Sequence, residues 1–355
     1  MKGKQSITVF VGLCFVLSLI ALTLIPVTAS ASSGEPIVLK CAHQNPPKGR
    51  TTVKLIDAYM RKVEEATKGR VKIVSYPAQS LAKATEMVTA IEGGIADMAW
   101  SPLGYFAGRF PLSTVIELPF MSLSSAEKNS QVLQELYETT PEMQKEFSSV
   151  KVLFLHTSSP YFIATSKTPV RNLDDIKGLK LRVMGAYPIK ASKLLGLSPL
   201  FMPMPGVYEA GEKGVLDGSI LPWAAVATFN LFEVFHYWTN VDLWIAHFIY
   251  MMNLDKWNSL PPDIQKAIMS VSGMNGAGWG GNAGFGPDVQ DDTMAKATKA
   301  GQKFERVSLD PGELEKWKKK AGEPIWDEWV KEMEKKGLPG QKVFDQARRL
   351  IKKYE

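Results

Sequence analysis

Apolar and polar positions along this chain follow two alternating periods, one typical of strands and one typical of helices. Residues 37–42 form a short apolar run that predicts a buried first strand, and residues 71–76 alternate with a period of two, as in a second strand. Between them, residues 51–68 carry apolar side chains at helical spacing, and Gly69 ends the predicted helix. The same alternation of strand and helix continues through most of the chain.

Further strands are predicted at 97–100, 151–156, 162–166, 179–183, 200–204, 215–220 and 239–253, and further helices at 80–92, from Ser124, at 187–195, 206–213, from Pro261 and within 312–355. This rhythm predicts an α/β fold with largely parallel or mixed sheets and helices on both faces. A chain of 355 residues can bury a large core and is expected to divide into two lobes. Because no low-complexity linker is present, the lobes should be joined by crossing strands, and 239–253 is a candidate.

The N-terminal segment has the pattern of a secretory signal peptide. Lys2 and Lys4 precede an apolar run over 7–27, and Ala29 and Ala31 form an A-x-A cleavage arrangement. Residues 1–31 are therefore predicted to direct the protein to the periplasm and to be removed. The apolar run is long enough that an uncleaved membrane anchor remains an alternative.

Charge and cysteine content exclude other classes. The net charge is +6, but lysine and arginine are interspersed with acidic residues, which does not indicate a nucleic-acid binder. Of the two cysteines, only Cys41 lies outside the predicted signal peptide, so no internal disulfide is expected. The fold must be held by its hydrophobic core.

Motifs for catalysis, cofactors and metals are either absent or lack the neighbouring secondary structure that they need. Residues 276–281 match G-x-G-x-x-G, but 263–271 before them has a helical pattern, whereas a dinucleotide site needs a strand there. The four histidines are scattered without metal-ligand spacing, and no G-x-S-x-G elbow is present. We therefore expect a ligand-binding protein without cofactor or metal, and not an enzyme.

Arg182 is the strongest candidate for a binding residue. It lies in the segment 172–183, where Leu179, Leu181 and Val183 would face one side of a strand and Lys180 and Arg182 the other. A guanidinium on a rigid strand is a good carboxylate receptor, because its planar fork matches two oxygens. On spacing alone, a surface arginine on an edge strand is the favoured interpretation.

Several passages, in order, resemble the substrate-binding subunits of tripartite ATP-independent periplasmic (TRAP) transporters, of the C4-dicarboxylate-binding type. They are PAQSL at 77–81, IEGGIAD at 91–97, FP at 110–111, LPF at 118–120, LDDIKGLKLRV at 173–183, VYE at 207–209, GVLDG at 214–218 and WNSLPPDIQ at 257–265. The match spans nearly the whole chain after the signal peptide.

This resemblance implies two α/β lobes joined by hinge strands and a long helix, which close on a ligand in the cleft between them. The lobes are assigned to 32–159 with 248–287, and to 160–247 with 288–355. Arg182 occupies the position of the family's carboxylate clamp. The implied partners are an organic anion and the integral membrane subunits of a TRAP transporter, and the receptor is expected to be a monomer.

Two departures from the family's pattern bear on the ligand. Dicarboxylate-binding relatives often carry a second arginine where this chain has Phe162, and an asparagine where it has Leu221. Both changes remove polar partners for a second carboxylate, and buried polar groups without partners are disfavoured. The predicted ligand is an organic acid with one essential carboxylate and an apolar or aromatic body.

Other candidate contacts lie near strand ends that the resemblance places at the cleft. Trp223, Phe162 and Trp244 are predicted to cover the ligand body and His43 to bond an oxygen, with Trp100, Tyr105, Leu221 and His247 as further candidates. These aromatic residues could instead belong to the lobe cores. A C4-dicarboxylate or sugar-acid receptor, a secreted enzyme acting on small acids, and a sensor subunit remain alternatives.

Overall fold

The computed structural model describes residues 35–355. The predicted signal peptide, residues 1–31, lies outside this range. Within residues 35–355, no helix combines the length and the apolar character needed to cross a membrane.

Strands and helices alternate as the sequence predicts. The strands are β1 (Ile37–Ala42), β2 (Val71–Tyr76), β3 (Met98–Pro102), β4 (Val150–Thr157), β5 (Phe162–Thr165), β6 (Leu181–Val183), β7 (Leu200–Phe201), β8 (Gly218–Leu221), β9 (Tyr237–Thr239), β10 (His247–Asn253) and β11 (Glu305–Val307). The helices are α1 (Asp57–Ala66), α2 (Met87–Glu92), α3 (Ala126–Thr139), α4 (Pro141–Glu146), α5 (Ala186–Leu195), α6 (Val207–Glu212), α7 (Trp223–Phe229), α8 (Leu254–Ser259), α9 (Pro262–Ser270), α10 (Gly273–Phe285), α11 (Asp288–Lys299), α12 (Glu313–Ala321), α13 (Glu323–Lys335) and α14 (Gly340–Tyr354).

The strands form two mixed sheets, which confirms the predicted α/β class. Sheet I has the order β2-β1-β3-β10-β4, with β1 parallel to β2 and β3, and β10 antiparallel to both of its neighbours. Sheet II has the order β11-β9-β5-β8-β6-β7, with β5 antiparallel to β8 and β9. Each sheet is covered by helices, as mixed sheets with crossover connections require.

Before the C-terminal helices, three segments of residues 35–355 lead from one sheet to the other. Residues 158–161 lead from β4 to β5, and 240–246 lead from β9 to β10. These two crossings pair with each other, because Tyr161 N–H donates to the Trp244 carbonyl at 2.8 Å and Leu243 N–H donates to the Tyr161 carbonyl at 3.1 Å. The third crossing joins α10, which packs on β4, to α11, which packs on α7. A pair of hydrogen-bonded strands is suited to act as a hinge.

The crossing segment differs from the single long strand predicted over 239–253. The structure splits it into β9 in sheet II and β10 in sheet I, separated by a loop in which Asp242 has a φ of 43°. A left-handed residue interrupts strand geometry, so the apolar run could not continue as one strand. The predicted strand 200–204 is likewise reduced to β7, because Pro203 cannot donate a ladder hydrogen bond.

The glycine-rich segment 276–281 lies inside α10, and the helix α9 precedes it as predicted. A Cβ atom on Gly276 would lie 2.8 Å from the Phe154 ring, and one on Gly281 would lie 2.3 Å from the Ser130 hydroxyl. The glycines therefore let α10 pack closely on β4 and α3. Pro287 then ends this helix, where the family resemblance implied one long helix.

The C-terminal helices connect elements that flank both sheets. Helix α14 packs on α3, and an ion pair joins Lys353 to Glu135 at 2.7 Å. Helix α12 packs on α5. The predicted lobe boundaries, with 288–355 in the second lobe, stay a prediction.

Glu146 should make folding stability pH-dependent. Its carboxylate accepts a hydrogen bond from Leu112 N–H at 2.7 Å, but burial raises the pKa of this carboxyl to about 7. Because the folded state binds the proton more tightly than the unfolded state, its stabilising contribution is complete below pH 4.5 and lost as the pH rises through 7.

We therefore expect Glu146→Gln to gain unfolding free energy relative to the wild type as the pH rises from 4.5 to 7. Burial lowers the pKa of His43 to about 4 and of His156 to about 3, which opposes this trend equally in both proteins. Urea unfolding of the two proteins at pH 5 and pH 8 measures the difference. The raised pKa of Glu146 would be contradicted if the variant and the wild type differed in unfolding free energy by the same amount at both pH values.

Candidate ligand-binding site

Arg182 lies in β6, which is next to the edge strand β7 of sheet II. Its register partners are Leu200 in β7 and Ser219 in β8. The Asp217 carboxylate accepts a hydrogen bond from Lys180 N–H at 2.8 Å, and this bond fixes the start of β6 against β8. Gly218 allows β8 to approach β5, since a Cβ there would lie 2.1 Å from the Ala164 carbonyl oxygen. The motifs 173–183 and 214–218 therefore build a rigid support for the arginine.

The Arg182 guanidinium is buried, with only 1% of the residue exposed, and it is only partly paired. Its Nε donates to the Met202 carbonyl at 2.9 Å, which sets the plane of the group. Both terminal nitrogens are buried and have no hydrogen-bond partner. A buried cation without partners is strongly unfavourable unless a ligand supplies them, so this geometry indicates an anion site.

The Arg182 side chain lines a small, partly open cavity of about 40 Å³. Residues on both sheets and on their connecting loops line it. They are Gln44, Asn45, Thr51, Trp100, Pro102, Tyr105, Tyr161, Arg182, Met184, Met204, Pro222, Ala225, Thr228, Phe229, Phe248 and Phe285. Among these residues, Arg182 is the one that carries a charge, and most of the others are aromatic or apolar.

The aromatic wall is fixed by stacking and by a hydrogen bond from Trp100. Trp100 stacks on Phe248 with ring centroids 5.1 Å apart, and its Nε1 donates to His156 Nε2 at 2.8 Å. Burial lowers the pKa of His156 to about 3, so this ring stays neutral and accepts the bond. Burial raises the pKa of the Tyr161 hydroxyl, although the charge of Arg182 acts in the opposite direction. Tyr161 therefore stays a neutral hydroxyl beside the cation.

Two threonines join the two sides of the cavity. Thr51 precedes a π-helical turn (Thr52–Ile56) that leads into α1, and Thr228 is in α7. The Thr51 N–H donates to Thr228 Oγ1 at 3.1 Å, and the two hydroxyl oxygens are 2.9 Å apart. A ligand enclosed here is covered from both sides.

The sequence-predicted residues divide between this cavity and its surroundings. Arg182, Trp100 and Tyr105 line the cavity. Phe162 and Trp223 stack on each other, with ring centroids 4.1 Å apart, and they line a neighbouring crevice. Phe162 is set there by its register with Leu221 across β5 and β8.

The remaining four predicted positions lie outside the cavity lining. His43 Nε2 faces the Ser75 hydroxyl at 3.2 Å. Leu221 is fully buried inside sheet II, and Trp244 is 1% exposed on the crossing segment. His247 turns toward Glu117, with Nδ1 and Oε1 2.9 Å apart. Each of these side chains packs in the core or contacts another protein group, and none of the four lines the cavity.

Sequence reasoning missed the polar residues that follow β1. Gln44 and Asn45 line the cavity next to the predicted His43, and the Gln44 Oε1 atom is buried without a partner. Loop 77–80 fixes the backbone after β1, because the Ala78 N–H donates to the Asn45 carbonyl and the Gln79 N–H donates to the His43 carbonyl. No sequence signal pointed to Thr228 or Phe285.

A Ser–His–carboxylate arrangement bears on the enzyme alternative. His247 Nε2 lies 2.9 Å from the Ser113 hydroxyl, and Nδ1 lies 2.9 Å from the Glu117 carboxylate. Ser113 donates its proton to the Phe110 carbonyl at 2.8 Å, and all three side chains are at most 1% exposed. A nucleophile needs a free lone pair and substrate access, so this network is structural. Within residues 35–355, no group of three His, Cys, Asp or Glu residues is arranged to hold a metal ion.

A buried guanidinium with two unpaired terminal nitrogens, in an aromatic cavity between two hinge-connected α/β sheets, is typical of a two-lobed binding protein for an organic anion. Residues 41–333 match the family of bacterial extracellular solute-binding proteins, family 7 (DctP). The chain belongs to this family, as the motifs predicted.

Solved structures share the whole fold. A TRAP solute-binding protein from Rhodoferax ferrireducens T118, in complex with copurified benzoate, is 29% identical with a TM-score of 0.84, covering 90% of this chain and 98% of that one. A marine metagenome TRAP solute-binding protein (unidentified microbe) specific for aromatic acid ligands, in complex with 3-hydroxybenzoate, is 31% identical with a TM-score of 0.84, covering 91% and 100%. These similarities confirm the predicted two-lobed fold.

A curated relative binds a different kind of acid. The 2,3-diketo-L-gulonate-binding periplasmic protein YiaO of Escherichia coli K12 is 27% identical over 209 residues, which is 59% of this chain and 63% of the relative. The aligned part is thus less than two thirds of that protein's length.

Proposed function

We propose that this chain is the extracytoplasmic receptor of a TRAP transporter and binds a monocarboxylate with an aromatic body. The observation that carries the proposal is the charge of the cavity. Arg182 is the charged residue of its lining, and both terminal nitrogens lack a protein partner. One guanidinium matches one carboxylate, with two parallel hydrogen bonds.

The rest of the lining supports an aromatic body. Trp100 and Phe248 present a stacked pair of rings, and Tyr105 and Tyr161 add further aromatic surface. An aryl ring buried among such side chains gains both apolar burial and favourable ring–ring geometry. The solved relatives with benzoate and 3-hydroxybenzoate support the same ligand class.

A C4-dicarboxylate or a sugar acid fits this cavity less well. A second carboxylate would be desolvated without a cation, since no other charged residue lines the cavity. A sugar acid would bury several hydroxyl groups against a mainly apolar wall, and each unpaired group is unfavourable. The same lining that favours an aryl acid therefore selects against both alternatives.

In the cell, we infer that residues 1–31 direct the protein to the periplasm, where it acts as a monomer. The loaded receptor delivers its acid unchanged to the integral membrane subunits of the transporter. Arg182 holds the carboxylate, and Trp100 and Tyr105 cover the ring. No cofactor or metal takes part.

A thermal-shift screen of the purified receptor tests the proposal. The panel contains benzoate, 3-hydroxybenzoate, phenylacetate, succinate and galactonate. A ligand at 100 times its Kd stabilises the folded protein by about 2.7 kcal/mol, so we expect the three aryl acids to raise the melting temperature by several degrees. Chromatography of the recovered acid should show it chemically unchanged. Stabilisation by succinate or galactonate alone, or turnover of a bound acid, would refute the assignment.

A further inference from the structure

Phe285 separates the ligand cavity from a second, wider crevice. Among the described residues, it is the one side chain that lines both spaces. The Phe162–Trp223 stack forms part of the crevice wall on the other side. Phe285 therefore lies at the boundary between the two spaces.

The position of Phe285 follows from the glycine-rich helix that ends with it. Gly276 and Gly281 allow α10 to lie against β4 and α3 at distances that a Cβ atom would not permit. Pro287 then breaks the helix at the third crossing between the sheets. The glycine motif thus acts through packing, because it allows the close approach of the helix whose last residue, Phe285, lines the cavity.

The Phe285 ring is held in place by packing against another aromatic ring. It stacks on Phe248 with ring centroids 5.1 Å apart, and Phe248 stacks on Trp100 at the same distance. The residue is 4% exposed. Three stacked rings form a continuous row along one side of the cavity, and Phe285 is its last member.

The crevice behind Phe285 has a different chemistry from the cavity. Its lining includes the amides of Asn240, Asn282 and Gln290 and the carboxylates of Asp242 and Glu127, without any lysine or arginine among the described residues. Amides and carboxylates accept hydrogen bonds from a hydroxyl group, whereas a second carboxylate would meet like charges.

We propose that Phe285 is the specificity-determining residue that limits the receptor to short aryl acids, and that the crevice behind it is an extension subsite for a neutral, hydroxyl-bearing tail. The inference rests on the proposed function, because it assumes that Arg182 anchors the carboxylate at the other end of the ligand. With that end fixed, the distance to Phe285 sets the length of acid that fits.

Calorimetric titration of four acids tests this assignment. The probes are benzoate, 3-phenylpropanoate, 3-(4-hydroxyphenyl)propanoate and 3-(4-carboxyphenyl)propanoate. The wild type should bind benzoate at least tenfold more tightly than any of the longer acids. In Phe285→Ala, the affinity for the hydroxylated long acid should rise at least tenfold relative to benzoate, while the long diacid should gain nothing.

Phe248→Ala is the matched control, since it removes a ring from the same row but lines only the cavity. It should change the affinities without raising the affinity for the hydroxylated long acid relative to benzoate. If the alanine variant does not fold, Phe285→Leu, a smaller change in volume, is titrated in its place. It should also raise the affinity for the hydroxylated long acid relative to benzoate.

The outcomes separate this inference from the proposed function. Phe285 does not limit ligand length if its folded variants bind benzoate but keep the wild-type affinity of the hydroxylated long acid relative to benzoate, or if Phe248→Ala raises that relative affinity as much as Phe285→Ala does. If the wild type binds none of the four acids, the proposed function fails and the length assignment fails with it.

Discussion

Replacing Arg182 with methionine is expected to abolish binding of aryl acids while leaving the ligand-free protein at least as stable as the wild type. The guanidinium is buried and its terminal nitrogens have no partner, so the free protein carries an uncompensated charge. Replacing a buried charged group by an apolar one of similar volume is often neutral or stabilising. Binding, by contrast, depends on that charge.

The size of the effect follows from the hydrogen bonds that are lost. Each charge-assisted hydrogen bond contributes about 1.5–3 kcal/mol, so losing a bidentate pair should weaken binding by more than about 100-fold. Arg182→Lys keeps the charge but loses the fork and the Nε bond to the Met202 carbonyl. We expect its affinity to fall between those of the wild type and the methionine variant.

Arg171→Met is the matched control for Arg182→Met. Arg171 lies near the same sheet but is largely exposed and pairs with Glu305 on the surface. Calorimetric titration with benzoate and thermal melts without ligand measure all four proteins. A methionine variant at Arg182 that binds normally, or that melts well below the wild type without ligand, would show that the arginine serves the fold and not the ligand.

Arg182 was predictable because its local sequence determines its environment. A turn ended by Gly178, a short apolar strand and an aspartate just before the neighbouring strand place one charged side chain on a buried sheet. The strand was assigned correctly, but the sequence left open whether Arg182 was a surface residue. Tertiary packing decided it, since β7 and β8 flank β6 on both sides.

Residues whose direction depends on loops or on distant packing were less predictable. His43 was expected to face the ligand, yet its ring faces Ser75, and the next residue, Gln44, lines the cavity. Phe162 has the register expected for its strand, but Trp223 covers it and turns that pair toward the crevice. One residue of rotation at the end of a strand changes which side chain meets the ligand.

Replacing Gly49 with alanine is expected to weaken ligand binding about 10- to 100-fold, because it obstructs the contact that closes the cavity. A Cβ atom at this position would lie 2.6 Å from Thr228 Cγ2, which is closer than real Cβ atoms come to other heavy atoms. Overpacking of this kind costs typically about 1–3 kcal/mol. Gly49 precedes the helix after β1 and Thr228 follows β8, so the clash falls between the two sides of the ligand site.

Receptors of this class close on their ligand, and a clash present only in the closed arrangement lowers the closed population and hence the apparent affinity. Gly49→Ala should therefore release benzoate faster, as stopped-flow measurements would show, while its ligand-free melting temperature stays near that of the wild type. A ligand-free protein that melts much lower would place the clash within one lobe.

The double variant Gly49→Ala with Thr228→Ser distinguishes this mechanism from general damage. Serine removes the Cγ2 methyl that the new Cβ would meet, but it keeps the Oγ1 atom that bonds the Thr51 N–H and hydroxyl. Affinity should recover to near the level of Thr228→Ser alone. Without recovery, the obstruction must come from Pro46, whose Cγ and carbonyl oxygen would each lie 3.2 Å from the same Cβ on the Gly49 side of the cavity. Closure would then depend on the conformation of the 46–49 turn, and not on the threonine contact across the site.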